Sequence, residues 1–371
     1  MFRKDIENTL VDSAFQVNDG LNECAACAST VVYDKSYGLV FLVYMTGTRT
    51  SYGEASGRIA LSVFSPSQPW NARHVRVDEG VGGARGVLCT CAWLLSPGKI
   101  RMLFTTTKGT LGAYYRDYDF DADTVTERTE VFLSLDGKAV PCTNENYRAL
   151  IGTQGLTDVS DNACLINKSF VWDGNVYTAL TVDGKYYPVL CRIRENVLEP
   201  FAFCPVQGTY EFRYYIDDTG IHAVYRTPVD DQGTLKSGYL FSGNLGKTWN
   251  NTVFEDGIQS RPDILPYRGK PLIIYNYKND RSVENFPPMH NYRNAIRMLY
   301  DGKPVFDCFQ KYGIVEHTTV DIFGDLYMAF STCEQALSVS NGKAWIEQGR
   351  PVEQGKEEIK WVKLGSLPEC P

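Results

Sequence analysis

Two glutamates, a histidine and several arginines stand where strand ends could bring them together. Glu54 lies in the loop Thr46–Gly57, and Glu211 opens the run Tyr210-Glu211-Phe212-Arg213-Tyr214-Tyr215. Paired carboxylates flanking an anomeric carbon are the common apparatus of glycoside hydrolysis, one as general acid and one as base or nucleophile. Glu54 is the candidate acid and Glu211 the candidate base or nucleophile. Burial or a neighbouring carboxylate would have to keep one of them protonated near neutral pH. His317, in Glu316-His317-Thr318-Thr319, is a further acid–base candidate, because imidazole titrates near neutrality. Arg226 and Arg293 carry the planar fork that grips a carboxylate with two bonds. Tyr275, with Trp93, Tyr277 and Tyr292, offers faces on which a sugar could stack. Each has a plainer alternative: an ion pair of Glu211 with Arg226, a solvated Glu54, a hydrogen-bonded core histidine, and tyrosines that pack between sheets.

Composition narrows the partners. The 371 residues carry a formal net charge of -7, which argues against nucleic acid. No apolar run reaches bilayer length, so no membrane partner is expected. Met1 to Asn22 lacks the apolar core of a signal peptide, and a cytoplasmic location is expected. Eleven cysteines could suggest disulfides. Their odd number, and the placing of Cys89, Cys91, Cys164 and Cys191 inside strand-like runs, favour reduced core thiols. Cys24-x-x-Cys27 is half of a metal site at most, since no second pair follows at zinc-ligand spacing. No phosphate-binding glycine loop, nucleophile elbow or HExxH motif is present. No metal or cofactor is expected.

The elements that would position these residues are strands. With 23 Tyr, 18 Phe and 32 Gly and little helical periodicity, the chain reads as all-β with many tight turns. A strand–turn–strand unit ending in an aromatic and a small polar residue recurs. It appears at Ala28–Tyr33 with Gly38–Tyr44, at Cys91–Leu95 with Lys99–Thr105, and at Leu165–Trp172 with Asn175–Thr181. It returns at Phe212–Ile216 with Gly220–Arg226, at Pro262–Tyr267 with Lys270–Asn276, and at Thr318–Phe323 with Asp325–Ser331. The spacing, roughly 45 to 75 residues, is that of propeller blades, each a sheet that needs its neighbours to bury both faces. The expectation is one domain over residues 1–371, a six-bladed β-propeller of four-stranded antiparallel blades. Either residues 1–22 or the run Glu358–Leu364 would supply the strand that closes the ring. Polar residues at the starts of the innermost strands would then share one mouth of the central tunnel.

Ser242-Gly243-Asn244-Leu245-Gly246-Lys247-Thr248-Trp249 reads S-x-N-x-G-x-T-W. It resembles the Asp-box of the sialidase superfamily, with Asn where that motif usually has Asp. Ser338–Trp345 has Ser, Gly and Trp at the same spacing, with Ser340 and Ala344 as departures, and Ser62–Trp70 is a longer echo. The resemblance implies how the blades are built and suggests which residues line the pocket. In sialidases a Glu before the first strand of a late blade helps activate a tyrosine nucleophile, and an Arg after the second strand binds the substrate carboxylate. Glu211 and Arg226 match these by position and type. Asn291-Tyr292-Arg293-Asn294 resembles the strand start that carries the third arginine of the sialidase triad, with Arg297 on the same face as Arg293. Gln259, Arg261 and Asp263 stand where polar residues of such proteins line the pocket, although Arg261 and Asp263 could simply pair.

Three departures separate the chain from a true sialidase. Cys24 to Thr30 stands where the first arginine is expected, and Glu316-His317-Thr318-Thr319 where the tyrosine is expected. Tyr52-Gly53-Glu54-Ala55 occupies the place of an aspartate-bearing loop. The reading that accommodates all of this is a sialidase-like glycoside hydrolase acting on a terminal acidic sugar. The alternatives are a polysaccharide lyase, in which His317 moves the proton of a β-elimination on a uronate, and a non-catalytic sugar- or protein-binding propeller.

Overall fold

A computed structural model of the chain describes residues 1–7, 9–18, 25–47, 58–79, 87–106, 112–154, 164–166, 168–182, 187–206, 208–209, 211–227, 236–255, 257–258, 261–277, 295–309, 314–332 and 358–367. Within them the strands pair into five sheets. The first runs Ala25–Asp34, Leu39–Gly47, Arg58–Phe64, Arg73–Asp78. The third runs Glu211–Asp217, Gly220–Arg226, Ser237–Ser242, Asn250–Val253. The fourth runs Asp263–Tyr267, Lys270–Tyr277, Ala295–Tyr300, Lys303–Phe309. The fifth begins Ile314–Ile322, Asp325–Thr332, Glu358–Gly365 and takes its outermost strand, Phe15–Gln16, from the start of the chain.

The second sheet has eleven strands, and this differs from the six separate four-stranded blades that the repeats predict. It contains two antiparallel meanders. One starts at Val87–Ser96 and ends at Thr129–Leu135. The other starts at Cys164–Ile166 and Phe170–Trp172 and ends at Val197–Phe203. Their outer strands join in parallel at Phe132↔Val197 and Leu133↔Leu198. The cause is the insertion after Thr129–Leu135. It carries Lys138–Pro141 and the helix Asn144–Gly152, whose first turn is capped by Thr143 Oγ1 accepting from the Asn146 amide at 3.2 Å. The helix buries Tyr147, Leu150 and Ile151 against Leu133, Val189 and Leu198, drawing two outer edges together so that they pair.

The sheets are apolar on both faces, as packing between neighbours requires. Along Glu211–Asp217, Phe212, Tyr214 and Ile216 pack with Ala179, Leu190 and Ala202 of the second sheet. Tyr215 packs the other way, with Ile264, Ile273 and Tyr275 of the fourth. The leading strands adjoin in chain order, and Ile314–Ile322 returns to lie against Ala25–Asp34. This ring arrangement places the starts of the leading strands at one end of a common axis.

The turn at Ser242–Trp249 joins the third and fourth strands of its sheet, away from that axis. Ser242 Oγ donates to Asn244 Oδ1 at 3.0 Å and accepts the Gly246 amide at 2.8 Å. Asn244 Oδ1 accepts the Thr248 amide at 2.9 Å, and Trp249 Nε1 donates to Gly246 O at 3.1 Å. Gly246 has φ 89°, and a Cβ there would lie 2.4 Å from that of Ala202. Gly137 has φ 75° with open space around it. Gly137→Ala should therefore cost only about 1–2 kcal/mol of backbone strain, and Gly246→Ala about 1–3 kcal/mol more. Urea unfolding of both variants checks this, and equal losses would mean that Ala202 yields at no cost.

Candidate functional site

Glu211 and Arg226 begin and end the first hairpin of the third sheet and are directly paired in register. Arg226 Nε donates to Glu211 Oε2, and both residues are 6 % exposed. The sequence leaves open whether this pair is structural or functional. The structure makes it an ion pair at the leading end of the ring. Strand alternation puts Arg213 on the face of Glu211, and it is buried at 2 % exposure.

Asp263, at the start of the fourth sheet, is 1 % exposed. It does not depend on Arg261 in its own turn. Lys168, preceding Phe170–Trp172 of the second sheet, donates to both Asp263 oxygens at 3.1 and 3.2 Å and to Thr319 O at 3.3 Å. The Thr319 amide donates to Asp263 Oδ2 at 2.7 Å and the Ile264 amide to Oδ1 at 3.0 Å. One carboxylate thus ties three leading segments together. Arg261, also buried, immediately precedes this strut. Burial lowers the proton affinity of the Lys168 amine; Asp263 opposes that effect and Arg213 adds to it.

His317 lies at the centre of these charges. It is 2 % exposed, and neither ring nitrogen has a hydrogen-bond partner among the described residues. Burial pushes its pKa down to about 4; Arg213 and Lys168 push the same way, and Asp263 and Glu211 oppose them. The imidazole is therefore neutral at physiological pH, and its basicity is weak.

Other candidates are placed elsewhere or occupied. Tyr275 is 2 % exposed and stacked on Phe254 at 5.6 Å, so it packs between sheets and has no face for a sugar. Trp93 is buried in the core of the second sheet. Arg297 does not reach inward: it donates to Asp307 Oδ2 at 2.7 Å on the outermost strand and covers the Tyr277 ring at 4.3 Å. His222 is held by Tyr239 Oη at 2.6 Å and Thr219 Oγ1 at 2.8 Å and stacks on Tyr215, at the turn end of its hairpin, away from Glu211. Glu54, Gln259, Arg293, Tyr292, Cys24 and Ser338–Trp345 lie outside the described residues. Cys91, Cys142, Cys191, Cys204 and Cys308 are buried.

Lys168 and Arg213 were not singled out by the motifs, yet both follow the rule that picks out Glu211, Asp263 and His317, a polar residue near the start of a leading strand. Among the described residues the leading end gathers four cations, Lys168, Arg213, Arg226 and Arg261, around two carboxylates, Glu211 and Asp263. Such a gathering of cations is of the kind that suits an anionic ligand. No group of three or more metal-ligating side chains occurs among the described residues.

Two outcomes follow from this arrangement. Asp263→Asn strands the Lys168 charge and should cost about 3–5 kcal/mol in chemical unfolding, most of it recovered when Lys168→Met is added. The folded protein binds a proton at His317 less readily than the unfolded chain, for which the ordinary value is 6.5. The stability gained by keeping the ring neutral is complete above about pH 6.5 and falls toward pH 4, by about 3 kcal/mol in all. The difference between wild type and His317→Gln should carry that pH dependence. A flat difference would mean that the ring is not buried in its neutral form.

No protein-family model matches the sequence, and no curated protein matches it. Solved structures do. A mutant of Trypanosoma rangeli sialidase displaying trans-sialidase activity matches with a TM-score of 0.61 at 10 % identity, over 95 % of this chain and 58 % of that one. Phage phi92 endosialidase matches with a TM-score of 0.61 at 9 % identity, over 96 % of this chain and 70 % of that one. The K499G mutant of NanB sialidase from Streptococcus pneumoniae gives 0.54 at 13 % identity, over 94 % and 70 %. The chain thus spans a little over half of the trypanosomal enzyme's length. At such identities the likeness is one of fold. The ring of strand meanders described above is a sialidase-like β-propeller.

Proposed function

We propose that this protein is a glycoside hydrolase that acts on a terminal acidic sugar of a glycan. The observation that carries the proposal is a buried carboxylate, Glu211, held by Arg226 at the leading end of the ring, where Lys168, Arg213 and Arg261 are also gathered among the described residues. Glu211 serves as base or nucleophile at the anomeric carbon, and Glu54 as the acid that protonates the leaving oxygen. Arg226 and Arg293 anchor the sugar's carboxylate, and Gln259, Arg261 and Asp263 line the pocket. An oxocarbenium-like transition state gains from nearby carboxylates, and a carboxylate-bearing sugar gains from the arginines beside them.

The second reading, a lyase, draws on His317, whose neutral ring has a lone pair for abstracting a proton. The weak basicity that its burial imposes favours the hydrolase. In the same reading the eleven-stranded sheet counts as two blades, which gives six in all. The six adjoining leading segments and the two meanders within that sheet support this count. The hydrogen bonds and outer position of the turn Ser242–Trp249 support reading it as an Asp-box, with Asn244 in the acidic position.

Assays on sialylated and uronate-bearing glycans test the proposal. Glu211→Gln should lose roughly 100-fold or more in kcat, with reducing sugar released by the wild type. Undiminished turnover in that variant would remove Glu211 from the chemistry. An ultraviolet-absorbing unsaturated product would favour the lyase, and binding without turnover would favour the non-catalytic propeller.

A further inference from the structure

The turn end of the ring, opposite Glu211 and His317, carries a cleft of about 300 Å³ between the second and third sheets. Tyr177, Arg192 and Glu199 line it as one cross-strand row over Asn175–Val182, Val189–Arg194 and Val197–Phe203. Arg192 donates to Glu199 Oε2 through Nε at 3.1 Å and Nη2 at 2.6 Å, and Arg194 Nε lies 3.6 Å from Oε1. Trp172 and Phe201 also line the cleft, their ring centres 6.3 and 5.6 Å from that of Tyr177. From the third sheet comes Leu245, in the turn Ser242–Trp249.

Two backbone irregularities bring apolar side chains to this cleft. Leu190 pairs with Ala202 and Cys191 with Pro200, so Phe201 is the extra residue of a β-bulge, and it is 38 % exposed. A bulge re-aims a side chain, and such bulges are frequent beside binding sites. Leu245 has φ 54°, a left-handed conformation that strains a bulky residue, and it is 50 % exposed. The hydrogen bonds of its turn hold it there.

We propose that this cleft binds a neutral sugar unit of a glycan, a second carbohydrate site at the opposite end of the ring from Glu211. A pyranose presents flat C–H faces and a rim of hydroxyls. The faces suit the rings of Trp172 and Phe201. Neighbouring hydroxyls suit Arg192 and Glu199, a donor and an acceptor side by side that are neutral as a pair. The site is defined by binding alone, so it stands or falls apart from the proposed hydrolysis.

Isothermal titration calorimetry of the full chain with lactose, cellobiose and maltose, none of which carries an acidic sugar, tests this. At least one of them should bind. Phe201→Ala removes one stacking face at a half-exposed position and should weaken that binding about tenfold. Leu245→Gly relieves the left-handed backbone, so it should fold, and should weaken binding by roughly three- to tenfold. Phe323→Ala, exposed at the same end but outside the cleft, and Glu211→Gln, at the other end, should bind as the wild type does. Binding that persists undiminished in both Phe201→Ala and Leu245→Gly overturns the proposal, as does a wild type that binds none of the three sugars. Self-association of the wild type that Phe201→Ala abolishes, without any sugar bound, would give the cleft to a second copy of the chain and overturn it equally.

Discussion

A carboxylate with almost no exposed surface must be matched in charge and in hydrogen bonds, and Asp263 meets that demand only by joining three sheets. Lys168 comes from the second and the Thr319 amide from the fifth, while the Ile264 amide is local. The apolar faces between sheets hold neighbours together but are indifferent to small sliding movements along the strands. The Asp263 strut is not, because its donors must arrive at one point. It therefore sets the relative height of the leading segments that it joins, and with it the placing of His317, two residues before Thr319. A buried ion pair adds little net stability over apolar packing. Here its contribution is geometric.

Polarity is divided along the axis. The starts of the leading strands carry Glu211, Asp263 and His317, whereas the turns at their far ends expose Leu95, Val171 and Phe323. The division follows from strand direction, since all leading strands run the same way around the ring. The end of the ring that gathers these charged groups is fixed once the first hairpin is placed.

Much of this was legible in the sequence. The strand–turn–strand recurrence marks the leading hairpins, and the charges at their edges mark the Glu211–Arg226 pair and His317. What escaped did so for physical reasons. Lys168 sits in a polar lead-in, Asn167-Lys168-Ser169, that reads as a solvated loop, and its partner Asp263 lies 95 positions away. Arg213 lies in a run of strand-forming aromatics, where alternation alone does not distinguish a buried guanidinium from an edge residue. Tyr275 lies in a second strand, between sheets, so its ring meets Phe254 and not the axis. The fusion of two meanders rests on two residue pairs and one short helix, too little to leave a period in the sequence.

The fifth sheet is assembled from both extremes of the chain. Phe15 pairs with Trp361, and the Ile359 amide donates to Asn18 Oδ1 across 341 positions. Phe2, Ile6, Leu10 and Val11 are buried in the same core as Val362 and Leu364. During synthesis, then, this apolar segment leaves the ribosome well before its docking partners, Ile359 following Asn18 by 341 positions. The other four sheets have all their strands made before the fifth does, and ring closure waits for that last strand, delayed by sequence separation more than by the modest entropy of so long a loop. Until that moment the segment is an unsatisfied apolar stretch on a nascent chain, the kind of surface that chaperones hold.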